Sequence, residues 1–196
     1  MYRHFFKRFF DLILALSILP FVILVILLIG PIIWVTDRGP IFYNAERMGK
    51  DGKIFKMFKL RSMYVNAPDI RNADGSTYNS DQDPRVTSIG RFIRKTSLDE
   101  IPQFLNVLIG DMSFVGPRPS LTTTPYEQYN FDRKKRVTVR PGITGYSQAY
   151  FRNSISQEEK FRLDAEYVDK ISLWLDIKIL FQTVFSVLCK KNINNC

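Results

Sequence analysis

Histidine is nearly absent from this sequence: His4 is the only one, and it lies in a basic N-terminal segment. A histidine general base is therefore not expected. Cysteine is almost as scarce, with Cys189 and Cys196 both near the C-terminus. Two such residues make no disulfide framework and fit a reducing compartment. No Gly-x-Ser-x-Gly elbow and no Walker-type loop occurs, which argues against those two nucleophile and phosphate-binding architectures. Internal repeats and long linkers are missing as well. The 196 residues suffice for one compact domain and not comfortably for two. Acidic residues are the minority, 19 Asp and Glu against 28 Lys and Arg, for a net charge of +9. Acidic partners are expected from that balance: nucleic acid, anionic lipid or phosphorylated substrates.

Charge is missing altogether from residues 12–35, an apolar run long enough for a membrane helix. No small-x-small cleavage site closes the run, so a signal peptide is disfavoured. A chain this apolar at its N-terminus is not a simple nucleic-acid binder. Two features argue against a plain spanning helix. Pro20 lies inside the run, where it removes a hydrogen bond and bends a helix. Basic residues also lie on both sides: Arg3, Lys7 and Arg8 before, Arg38, Arg47, Lys50 and Lys53 after. The positive-inside rule then puts both flanks in the cytoplasm. A helix that enters, breaks at Pro20 and returns satisfies both observations. Its first arm, residues 12–19, is roughly 12 Å long, short of a hydrocarbon core about 30 Å thick. Asp11 sits where it can pair with Lys7 or Arg8.

The most informative stretch begins at Ser97-Leu98-Asp99-Glu100-Ile101-Pro102 and ends at Gly116-Pro117-Arg118-Pro119. An adjacent carboxylate pair opens an apolar helix that ends near Gly110. Pro102 fits a helix only in its first turn, so the helix is predicted to start near Asp99. Ser97-x-x-Glu100 also reads as a capping box, in mild conflict with that register. Either register puts the carboxylates at the positive end of the helix dipole, which favours an ionised Asp99. The plain reading is a helix cap. The alternative is chemistry on phosphate, because prolines flank Arg118 and restrict the backbone that carries a fork-shaped anion binder.

This stretch closely resembles the signature of the monotopic phosphoglycosyl transferases, bacterial sugar transferases that act on polyprenyl phosphate. The likeness covers nearly the whole chain. Lys59-Leu60-Arg61-Ser62-Met63 resembles a second motif of the family, and Arg140-Pro141-Gly142-Ile143-Thr144-Gly145 a third. An arginine matches at Arg94. The family's re-entrant anchor usually breaks at Ser-Pro; here Leu19 precedes Pro20, and the nearest serine is Ser17.

Other elements are read from local pattern. A β-hairpin is expected from Ile41-Phe42-Tyr43 and residues 54–60 around the Asp51-Gly52 turn. Residues 66–83 read as a polar surface loop. Gly90 leads into a short basic helix, and Arg94 falls five residues before Asp99. Arg133-Lys134-Lys135-Arg136 reads as a solvated or lipid-facing run. Ser156 and Glu159 form a capping box that starts a helix to about Lys170. Residues 171–188 form a second helix, with Trp174, Ile177, Leu180, Phe181, Val184 and Leu188 on one face. That face fits the membrane interface or the domain core equally.

The expected fold is α-rich α+β. Residues 1–36 form a re-entrant helix-break-helix anchor, and residues 37–196 one integrated catalytic domain with a small hairpin and amphipathic interfacial helices. The start at the re-entrant segment suggests a minimal catalytic form. The resemblance implies transfer of a sugar 1-phosphate from a UDP-sugar to polyprenyl (undecaprenyl) phosphate, releasing UMP, in the first membrane step of a surface glycan pathway. It implies Asp99 as nucleophile through a phosphosugar-aspartate, and Mg²⁺ near Asp99 and Glu100. Glu100 is then a metal ligand or a proton acceptor. Lys59, Arg94, Arg118, Arg140 and Arg152 are the substrate-binding candidates, with Arg152 ahead of Arg140 for the nucleotide-sugar. The expected location is the bacterial inner membrane, catalytic domain on the cytoplasmic face. Membrane lipid is a partner and nucleic acid is not; no coiled-coil pattern argues for homo-oligomerisation, which stays open. The competing reading is a membrane-anchored, non-catalytic module for anionic lipid or a phosphorylated ligand.

Overall fold

The computed structural model describes residues 2–70, 78, 80, 82–152 and 154–189, without the side chains of His4, Val187 and Leu188. Parts of the predicted 66–83 loop, together with Asn153 and Cys196, lie outside the described residues. The chain is helix-rich α+β, with two small two-stranded sheets. It forms two compact units. One comprises residues 1–18, 46–57 and 104–196, the other residues 19–45 and 58–103.

Helix α1 (Lys7–Asp37) follows a π-helical turn at Tyr2–Phe6 and is long and apolar enough to cross a membrane. At about 1.5 Å per residue it extends about 46 Å. The expected break is not seen as one: the helix runs through Pro20 and Pro31. Each proline removes a single backbone hydrogen bond, which an otherwise strong apolar helix tolerates. The boundary between the two units does fall inside α1, between Ile18 and Leu19, beside Pro20. Buried positions recur at steps of three, four or seven residues, at Asp11, Ala15, Val22, Val25, Ile29 and Ile33. That spacing is one helical stripe. The remaining circumference is apolar and bare, with Leu27 66 % and Val35 69 % exposed. An exposed apolar surface of this size marks an interaction site for membrane or protein.

In the second unit, Val25, Ile29 and Ile33 pack with Leu60 and Ile93. Asp37 closes α1 through a two-pronged pair with Arg61, both contacts 2.6 Å. Phe42 forms an antiparallel bridge with Leu60 in this unit. A hairpin turns at Asp51-Gly52 as predicted, both residues at positive φ, but its first strand is not 41–43: β1 (Ala45–Met48) pairs with β2 (Ile54–Met57), and apart from Ala45 it belongs to the first unit. Helix α2 (Ser88–Lys95) is capped by the Thr87 side chain.

The first unit holds α3 (Gln103–Ile109, from residue 104), β3 (Ser113–Val115), α4 (Phe131–Arg136), β4 (Gly142–Thr144), α5 (Tyr146–Tyr150), α6 (Gln157–Asp169) and α7 (Leu173–Leu188). Its core joins Ala15 of α1 to Val107, Met112, Val115, Tyr167, Val168 and Ile179. Ser156 caps α6 as predicted, accepting from the Glu159 amide. The basic run does not behave as predicted at its end. Arg136 is buried and paired with Asp164 at 2.6 Å, because burying the fork satisfies several acceptors at once. Helix α7 buries Ile179 in this core together with Asp176 and Ser186, and leaves Trp174, Phe181, Val184 and Phe185 exposed.

Strands β3 and β4 are parallel, in register Ser113 with Gly142 and Val115 with Thr144. Two proline-rich turns are thereby joined: the Gly116 amide donates to Thr144 O (2.9 Å), and the Gly142 amide to Pro117 O (3.0 Å). A Cβ on Gly142 would lie 2.1 Å from the Gly116 nitrogen. Gly142→Ala should therefore cost about 2–3 kcal/mol, seen as a lowered melting temperature of the detergent-held protein.

Candidate active site

The acidic pair lies in a 3₁₀ turn, Leu98–Glu100, ahead of α3 and not within its first turn. The reason is local. Ser97 adopts φ 57°, in the left-handed region, and makes no capping bond, so the chain reverses before Pro102 and the helix begins after it. The dipole argument for an ionised Asp99 fails with that register. Asp99 is 3 % exposed, and burial pushes its carboxyl above the usual range. Lys59 supplies the main opposing effect, its Nζ 2.7 Å from Asp99 Oδ2 and 3.4 Å from Glu100 Oε1. The neighbouring negative charge of Glu100 raises the Asp99 pKa further, and the positive charge of Arg94 lowers it.

Backbone geometry explains why Lys59 is there. The Leu60 amide donates to Asp99 O at 2.9 Å, one residue beyond Lys59. Arg94 is placed by Gly90. A Cβ on Gly90 would lie 1.9 Å from Ser62 O, so glycine lets α2 approach this strand closely. The Arg94 Nε then donates to Ser62 Oγ at 2.8 Å. Four predicted residues, Lys59, Arg94, Asp99 and Glu100, thus meet in one unit. Ser62 joins them; its only sequence signal was its place in the lysine motif. In the same unit, buried Asp83 and Arg85 pair at 2.7 Å, and Arg85 reaches Pro68 O and Tyr78 O, tying down the described part of the polar stretch.

The other three arginines belong to the first unit. Arg118 is exposed on its proline-flanked turn. Arg140 begins the adjoining turn, but its Nε donates to Gly110 O at 2.7 Å, closing the C-terminal end of α3. Arg152 is half-buried, follows α5 at φ 47°, and donates its amide to Ser147 O.

Asp99 and Glu100 offer hard carboxylate oxygens. No group of three or more His, Cys, Asp or Glu side chains suited to a metal occurs among the described residues. Two carboxylates fit Mg²⁺, which completes its shell with water and substrate phosphates, and fall short of a closed zinc site.

The site thus sets an acidic pair against a lysine and an arginine, in a chain that also carries a helix long and apolar enough to cross a membrane. The chain belongs to the bacterial sugar transferase family, whose sequence model matches residues 2–190. It is 46 % identical over 160 residues to a galactosyl transferase, CpsE, of Streptococcus agalactiae, covering 78 % of this chain and 35 % of that protein. A UDP-galactose-lipid carrier transferase of Erwinia amylovora is 42 % identical over 199 residues, covering 94 % of this chain and 40 % of that protein. A UDP-glucose:undecaprenyl-phosphate glucose-1-phosphate transferase of Escherichia coli is 40 % identical over 192 residues, with 94 % and 40 % covered. The chain thus spans about two fifths of the length of these relatives.

Removing Lys59 should leave a buried, uncompensated carboxylate. Lys59→Met is expected to destabilise the protein by about 2–3 kcal/mol at pH 7 without added metal. Because the folded Asp99 pKa is raised, the folded state gains a proton that the unfolded chain lacks. The deficit should therefore shrink as pH falls through the raised folded pKa, and be least below about 3.9, where the unfolded carboxyl is protonated as well. Melting temperatures between pH 4 and 8 check this.

Proposed function

We propose that this chain transfers a sugar 1-phosphate from a UDP-sugar to polyprenyl phosphate, releasing UMP and leaving a polyprenyl-diphosphate-sugar. The observation that carries the reading is the buried Asp99 held against Lys59 beside Glu100. The printed names of the Erwinia and Escherichia relatives supply the substrate classes.

In the first step an Asp99 oxygen attacks the β-phosphorus. The bond from that phosphorus to the bridging oxygen breaks, and UMP leaves with the oxygen and its electron pair. In the second step an oxygen of polyprenyl phosphate attacks the phosphosugar-aspartate, and the Asp99 carboxylate is released. Burial makes Asp99 a better nucleophile once ionised, and Lys59 keeps the ionised form accessible. Asp99 and Glu100 would hold Mg²⁺, which when bound neutralises diphosphate charge. Arg94 steadies the negative charge near Asp99. Arg118 and Arg152 take the donor's phosphates or uridine, with Arg140 behind them.

Both ends of α1 are bound to polar elements. At its start Lys7 pairs with Asp176 at 2.5 Å, Arg8 donates to Val107 O and Leu108 O, and Asp11 accepts from the Phe114 amide. At its end Asp37 pairs with Arg61. The re-entrant reading puts both ends at the cytoplasmic face, each held by polar groups of its own unit. Phe5→Cys and Arg38→Cys, made on a Cys189→Ser/Cys196→Ser background, should label from the same side of sealed inverted vesicles. Labelling from opposite sides means a spanning helix.

The deciding experiment is nucleotide release with Mg²⁺, undecaprenyl phosphate and UDP-glucose or UDP-galactose. Lipid-dependent UMP is expected, and Asp99→Asn should reduce it by at least about 10³-fold while the protein stays folded. UDP as product would make the chain a glycosyltransferase, and wild-type turnover by Asp99→Asn would remove the nucleophile. Glu100→Gln should also be severely slowed. Partial recovery of its rate at raised Mg²⁺ would mark Glu100 as the ligand and not the proton acceptor.

A further inference from the structure

Arg136 and Asp164 form a deeply buried ion pair, side chains 3 % and 1 % exposed, in the first unit. Neither belongs to a motif noted above. Their hydrogen bonds run in two directions. The Arg136 Nη2 donates to Asp164 Oδ2 at 2.6 Å and to the backbone carbonyl of Arg118 at 2.7 Å. Its Nη1 donates to Ser120 Oγ at 2.5 Å. The other carboxylate oxygen, Asp164 Oδ1, accepts from Ser147 Oγ at 2.7 Å. Ser147 lies in α5, and its carbonyl accepts the amide of Arg152 at 3.1 Å. One buried pair therefore grips the turn that carries Arg118 and the helix that ends at Arg152.

A pair this buried is a costly way to gain stability. Replacing such a pair with apolar residues of similar size is often neutral or stabilising. Its geometry, however, is directional. The fork fixes the Arg118 carbonyl between Pro117 and Pro119, whose rings already restrict that backbone. Fixing the carbonyl fixes the direction from which the Arg118 side chain leaves the chain. The hydroxyl of Ser147 does the same for α5.

We infer that Arg136 and Asp164 are positioning residues that set Arg118 and Arg152 relative to each other, so that both bear on one nucleoside diphosphate. The inference rests on the donor-binding role given above to Arg118 and Arg152. Neither member of the buried pair touches the ligand; each acts through a segment that does.

The test uses the full chain in detergent, UDP with Mg²⁺ as the probe, and calorimetric affinity and melting temperature as readouts. Arg136→Met/Asp164→Leu removes both charges together and keeps the volume filled. It should melt within a few degrees of wild type and bind UDP roughly tenfold more weakly. In an Arg118→Ala background the same double replacement should cost much less further affinity, since its main route to the ligand is gone. Ser147→Ala, which leaves the ion pair intact, should weaken UDP binding severalfold and should lose that effect in an Arg152→Ala background. This milder variant decides the matter if the double replacement fails to fold. Wild-type affinity in both the double replacement and Ser147→Ala, or fully additive losses in the arginine-less backgrounds, overturns the inference. Arg118→Ala and Arg152→Ala measured alone separate the two layers. If neither weakens UDP binding, the donor-binding roles fall and the inference falls with them. If they weaken it and the cycles are additive, only the positioning role falls.

Discussion

A buried carboxylate needs a cation, and much of the second unit can be read as the means of giving Asp99 one. Lys59, Leu60 and Arg61 are consecutive and go three ways. Lys59 reaches Asp99, Leu60 enters the core, and Arg61 binds Asp37 at the end of α1. Leu60 also donates its amide to Asp99 O, so the lysine and the aspartate are joined by backbone as well as charge. The apolar partners of Leu60 include Val25, Ile29 and Ile33, the inner stripe of the lipid-seeking helix. On the other side of that core Ile93 sits one residue before Arg94. The long apolar helix thus packs on the neighbours in sequence of Lys59 and Arg94. Loss of its packing would disturb Lys59 and Arg94 before it disturbed anything in solvent.

That double duty explains the pattern of α1. A helix serving only as an anchor could be apolar all round, with no preferred face. A helix packed on a water-facing domain would be polar on its outer side. Here a narrow stripe packs on protein while the rest stays apolar and exposed. Helix α7 also leaves large apolar residues bare, Trp174 and Phe181 among them. On its inner side Asp176 accepts from Tyr2, Lys7 and Tyr167, and burial beside that carboxylate pushes the Tyr167 phenol well above its ordinary pKa. Exposed apolar surface on both helices fits the membrane attachment proposed above.

Much of this was legible in the sequence. Carboxylates at 99 and 100, a lysine at 59 and an arginine at 94 were recoverable because each lies in a short local motif. Local pattern also found α6, its serine cap and the Asp51-Gly52 turn. It failed where a distant contact decides the outcome. The register at Asp99 turned on the left-handed Ser97, which nothing nearby demands, and with it went the dipole argument for ionisation. At Pro20 the helix stays continuous, because the one lost hydrogen bond costs little in a long apolar helix, so the re-entrant reading proposed above needs a bend there and not a gap. Arg136 was lost in a run of four basic residues; only its partner Asp164, 28 positions on, distinguishes it.

Those errors bear on how a charge of +9 should be understood. Counted from the sequence, every arginine and lysine is available to an anionic partner. In the folded chain several are committed. Arg61 belongs to Asp37, Arg85 to Asp83, Arg136 to Asp164 and Lys7 to Asp176, and Arg8 and Arg140 donate to backbone carbonyls at and beyond the end of α3. In the four ion pairs the cation is matched by a carboxylate and contributes little to long-range attraction, whereas Arg8 and Arg140 keep their charge but are fixed in place. Lys7 and Arg8 were counted among the charges that set membrane orientation, and both are bonded within the first unit. A charge-based argument for orientation therefore cannot count Lys7 and Arg8 as free votes, since both are spent on contacts that hold the start of α1 to its own unit.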